Sequence, residues 1–134
     1  MDEDKTPEAV QEADTAYDAL RALAHLTRAT HPAPVVYGIL GNLKNLGSFL
    51  PQISEQLAHG LVKSLEEYDV TEDSGKDPAA SVALAGEHLA RAAKLAQQMG
   101  EELAKAQNAI AGQGYRTAEE RRHLEELRRA SNDA

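Results

Sequence analysis

The chain has 134 residues, 42% of them hydrophobic and only 4% aromatic, so it is large enough to fold as one domain around a core of Leu, Ala, Val and Ile. The absence of cysteine excludes disulfides, thiolate zinc sites and cysteine nucleophiles. A formal net charge of -8 argues against autonomous DNA or RNA binding, which needs a basic face to neutralise phosphates. The acids concentrate in residues 1–30 and 51–78, whereas 79–115 and 116–134 are balanced. The start, Met1-Asp2-Glu3-Asp4-Lys5, is acidic, unlike the basic head of a secretory signal. The least charged run, Val35 to Leu50, is too short to span a bilayer. A cytoplasmic protein without membrane contact is expected, with residues 1–6 as a disordered acidic N-terminus.

Pattern and punctuation predict helices throughout. Thr6 as cap and Pro7 in the first turn open a helix running to about Thr30, with Val10, Ala13, Tyr17, Leu20 and Ala24 along one face. His31-Pro32-Ala33-Pro34 stops it. A second helix is expected over 34–48. Its Gly38, Gly41 and Gly47 weaken it locally, by roughly 1 kcal/mol each relative to Ala, and point to close approach by a neighbour. Pro51 either starts a third helix, ending near Tyr68, or kinks one long helix. Residues 69–77 form an acidic loop. Asp77-Pro78 then supplies a cap and a first-turn proline for the fourth helix.

The fourth helix carries the longest regular pattern. Val82, Ala85, Leu89, Ala92, Ala96, Met99, Leu103, Ala106 and Ile110 recur every three or four residues in alternation. This stripe is the candidate packing or self-association surface. Gly112-Gln113-Gly114 ends it, and Thr117-Ala118-Glu119-Glu120 is a capping box for a short polar helix reaching about Ala130. The fold expected is all-α: an antiparallel three- to four-helix bundle over 7–111, followed by a glycine-hinged polar helix and tail over 112–134.

Chemistry-bearing groups are sparse. His25, His31, His59, His88 and His123 are scattered. Glu120 and His123 form one Glu-x-x-His, where a di-iron bundle needs two plus two further glutamates. Asp69, Thr71, Asp73 and Gly75 imitate a calcium loop, but the sixth position is Ser74 and the twelfth Ala80, so the pattern fails. Glu55 and His59 are spaced to pair on a helix surface. Arg121, Arg122, Arg128 and Arg129 are a candidate polar contact arm, alternating with Glu119, Glu120, Glu125 and Glu126 in a pattern that favours mutual neutralisation. No catalytic, cofactor or metal residue is assigned.

From Asn45 to Ile110, especially at Leu50-Pro51-Gln52-Ile53 and Asp77-Pro78-Ala79-Ala80, the chain resembles small all-helical, Ala/Leu-rich actinobacterial proteins of unassigned function. Some of those are encoded near plasmid- or phage-derived genes. The resemblance implies a helical bundle and an accessory role, and supplies no active-site residue. The function expected is a non-enzymatic interaction or assembly protein, pairing with a second copy or another helical protein. The alternatives are an accessory protein of a plasmid- or phage-type nucleic-acid machine, and a small-ligand carrier or enzyme with an interhelical pocket.

Overall fold

The computed structural model describes residues 5–133, so most of the expected disordered stretch 1–6 lies outside the described residues. Five helices run in order: α1 (Glu8–Leu26), α2 (Ala33–Leu43), α3 (Leu46–Glu67), α4 (Pro78–Ala109) and α5 (Ala118–Asn132). The described residues contain no strand, in accord with the all-α reading. Two compact units divide at Pro32–Ala33.

In the first unit, α1 starts without the expected Thr6 cap. Pro7 occupies the cap position, its carbonyl receiving the Val10 and Gln11 amides, and no side chain caps the helix. Thr6 takes part through its backbone instead, its carbonyl accepting from Gln11 Nε2 at 2.8 Å. The helix ends at Leu26, short of Thr30. There the His31 ring Nε2 donates to the Leu26 carbonyl at 2.9 Å, and Thr27 Oγ1 donates back to Leu23. The Leu23 carbonyl also takes the Thr27 amide at 2.9 Å, whereas the Leu26 carbonyl, at the helix end, has only a long 3.4 Å backbone bond from Ala29 besides the His31 ring. No residue of α1 is buried, and Val10, Tyr17 and Leu20 stand exposed along its apolar face.

In the second unit, α2 and α3 lie end to end against α4. Lys44 meets Gln107 while Gly47 meets Gly100 and Ala96, so numbers fall along α4 as they rise along α2 and α3. The arrangement is an antiparallel hairpin closed by the loop after α3. At 1.5 Å per residue α4 is about 48 Å long, close to the combined length of its two partners. Gly75, with φ +70°, accommodates the left-handed turn in that loop.

Of the two roles open to Pro51, starting a third helix or kinking a longer one, it does not take the first. Pro51 lies inside α3, and the break comes nearly two turns earlier, at Lys44–Asn45. Pro51 has no N–H for the Gly47 carbonyl. Just before it the winding tightens: Gly47 N bonds to Lys44 O and Ser48 N to Asn45 O, each at 3.0 Å. Asn45 Nδ2 donates to the Gly41 carbonyl at 3.1 Å, drawing off an acceptor of the α2 ladder. The proline and the asparagine accompany the break between two helices that both pack on α4.

The later caps form as the sequence indicates. Asp77 Oδ1 accepts from the Ala79 amide at 3.1 Å. At α5, Thr117 Oγ1 accepts from Glu120 N at 3.0 Å, and Glu120 Oε2 accepts from Thr117 N at 3.2 Å. Among the described residues α5 packs on no other helix of its unit, so local bonds alone must hold it. An isolated helix of this length is marginal in water, and losing a Thr cap costs about 1 kcal/mol. Thr117→Ala is therefore expected to unwind much of α5. Circular dichroism would show a loss of helical signal approaching that of its 15 residues, with the unfolding transition of the hairpin unchanged.

Candidate interaction surface

Burial along α4 selects one side of the helix: Ala93, Ala96, Gly100 and Gln107 are buried, and Val82, Leu89, Leu103 and Ile110 are half-buried. The contact rows are thus Val82, Leu89, Ala96, Leu103 and Ile110, with Gly86, Ala93, Gly100 and Gln107 between them. Of the candidate stripe, the first row packs within the hairpin. Ala85 is half-buried at its edge, while Ala92, Met99 and Ala106 stand exposed. The packed second row lies one residue further along than the apolar pattern indicates.

Size explains the shift. A methyl carbon added to Gly100 would lie 2.7 Å from the Gly47 Cα and 2.9 Å from the Lys44 carbonyl oxygen. The two backbones touch, and that approach selects the smallest side chains rather than the most apolar ones. Of the glycines expected to permit close approach, Gly41 and Gly47 do so, whereas a methyl on Gly38 would meet nothing within 4 Å.

Two turns beyond this crossing, Gln107 is only 5% exposed. Its Oε1 accepts from Lys44 Nζ at 2.9 Å, and its Nε2 donates to the Tyr37 carbonyl at 3.2 Å. Gly41 leaves the room, since a methyl there would lie 2.9 Å from Gln107 Nε2. Gln107 thus ties α2 to α4 at the end remote from the loop. Apolar periodicity skips it. The only sequence signal for it is its place seven residues after Gly100, in the series Gly86, Ala93, Gly100.

The two sides of the hairpin differ. At about 100° per residue, Leu50, Ile53, Leu57 and Leu61 fall on one side of the α3 contact row, and Ser48, Glu55 and Val62 on the other. On α4, Ala92, Leu95, Met99 and Ala106 lie to one side of the contact, and Gln97, Glu101 and Ala104 to the other. A shallow groove is lined jointly by Lys44, Asn45, Ser48, Gln97, Glu101 and Ala104, so the polar flanks of both helices share a side. The apolar flanks therefore share the opposite one. There Ile53 is 48% exposed, Leu57 55%, Leu95 65% and Met99 40%, with Phe49 also exposed at the outer margin.

The arginines of α5 are all exposed. Arg121, Arg122, Arg128 and Arg129 occupy one half of the helix, with Glu125 among them. The neutralising pairs expected with the α5 glutamates do not form within 4 Å. The ion pairs of the described residues are Glu87–Arg91 at 3.7 Å and Glu102–Lys105 at 3.1 Å, both on α4. Glu55 and His59 likewise stay apart. Glu120 serves the cap, while His123 lines a surface depression with Glu119, Arg122 and Glu126. Among the described residues no three His, Asp or Glu side chains stand together as a metal site would require. No described helix is long and apolar enough to cross a membrane.

Comparison with known proteins matches no family model, and neither a curated protein nor a solved structure shows significant similarity to the chain.

Proposed function

We propose that this chain is a helical interaction protein that acts by assembling, in the first place with itself. The observation that carries the reading is the incompleteness of its core. Among the described residues only Ala93 and Ala96 are buried apolar side chains, and no side chain is wholly enclosed. Exposed Leu, Ile and Met side chains in a contiguous band mark interaction sites on soluble proteins. Pairing would remove that band from water, where each fully buried large side chain contributes about 1.5–3 kcal/mol.

The first test is absolute mass in solution, by light scattering or sedimentation, on the full chain and on one ending at Gly114. A dimer or larger species in both is the expected result, because α5 packs on no other helix of its unit. An oligomer lost on truncation would transfer assembly to α5. A monomer up to about 100 μM would overturn the reading, since interfaces of standard size commonly hold at micromolar concentrations or below.

A further inference from the structure

We infer that the second copy seats on the apolar side of the α3–α4 hairpin, with the Ile53–Leu95 level at the centre of the contact. This deepens the self-association reading and rests on it. The level follows from the register. With Gly47 against Gly100, six residues along α3 lead to Ile53, and five back along α4 lead to Leu95. Toward the loop the band continues through Leu57 and Leu61 on α3 and Leu84 on α4; in the other direction it runs through Leu50 to Val35. It is thus about 40 Å long at 1.5 Å per residue and about 18 Å wide for two helices in contact. That is roughly 700 Å² per copy, or about 1,400 Å² for a pair, within the range of a stable specific interface.

Charge favours an identical partner. The acids behind the net charge of -8 lie mostly in residues 1–30 and 51–78. Around this face the charges are mixed: Glu67 on α3, and Arg91 and Glu102 on α4. A rim of one sign would select a partner of the other, whereas a mixed rim can meet its own copy without net repulsion. Any two-fold axis through the centre of the face brings the Ile53–Leu95 levels of both copies together. Two hairpins then form four helices around one shared apolar core.

Sedimentation of the full chain and of Leu95→Arg, Ile53→Arg and Val62→Arg tests the assignment. Ile53 and Leu95 are half-exposed or more in the single chain, so the first two variants should keep their helical circular dichroism. Their dimer dissociation constant should rise about 30-fold or more, as for a charge placed at the centre of an interface. Val62→Arg, on the opposite flank, should associate like the parent. If the parent dimerises and the two central variants do so equally well, the face is wrong although self-association stands. If the parent is monomeric, both fall. Should an arginine unfold the chain, Leu95→Cys replaces it, in a protein with no cysteine of its own. Its reaction with a thiol reagent should slow severalfold as protein concentration rises, and a rate independent of concentration would overturn the placement.

Discussion

Gly100→Val is expected to destabilise the hairpin by about 3 kcal/mol, at the upper end of the cost of overfilling a packed contact. The first carbon of any side chain at this position lies 2.7 Å from the Gly47 Cα and 2.9 Å from the Lys44 carbonyl. Neither is a flexible side-chain end that can swing aside; both are backbone, so the helices must separate. Helix propensity works the other way, since Ala is preferred to Gly by about 1 kcal/mol, and Gly100→Ala sets the two effects against each other. Sterics should prevail, because the close contacts are with backbone on both sides. Gly60→Ala, in the middle of α3, provides the contrast: an added methyl meets nothing within 4 Å there, and the same change should stabilise by about 0.5–1 kcal/mol. Denaturant unfolding of the variants at equal protein concentration measures both signs. A neutral or stabilising Gly100→Val would mean that the helices do not touch at this crossing.

Gln107→Ala is expected to cost about 2–3 kcal/mol and to loosen α2 in particular. The substitution removes an acceptor for an ammonium group, a bond of the kind worth about 1.5–3 kcal/mol, and a donor to a backbone carbonyl worth about 1. Lys44 is half-buried and can turn partly to water, which holds the total below the simple sum. Since α2 meets α4 around this side chain, the loss should appear as faster amide exchange over Ala33–Leu43, with smaller changes in the loop half of α3 and α4. Uniform acceleration along the whole hairpin would show that Gln107 contributes to general stability without specifically anchoring α2.

Legibility in the sequence followed the type of signal. The starts of α4 and α5 were readable because Asp77-Pro78 and Thr117-x-x-Glu120 state their hydrogen bonds in local spacing. The break between α2 and α3 was less so: Pro51 marks a missing donor, but the distortion is taken up nearly two turns away, at Asn45. On α4 the period was legible and the phase only half so. A hydrophobic count favours Met99 over Gly100, yet two backbones in contact admit only Gly100. The expectation that glycines mark close approach identified the correct contact on α3 without extending it to α4. The open face was legible as composition, from the many leucines of α3. That they would remain exposed could not be read, because exposure depends on which flank the partner helix leaves free. No residue type announced Gln107.

The antiparallel register also orders the hairpin in time. Near the loop, residues facing each other are fewer than 20 positions apart, since α3 ends at Glu67 and α4 begins at Pro78. Gly47 and Gly100 are 53 positions apart, and Lys44 and Gln107 63. Contacts of short separation close at lower entropic cost, so the hairpin zips from the loop outward, and the glycine crossing and the Gln107 tie form last. The tightest part of the molecule is therefore absent from the early, rate-setting encounter. Its strain or repair changes how long the folded hairpin lasts and leaves the speed of its formation nearly untouched.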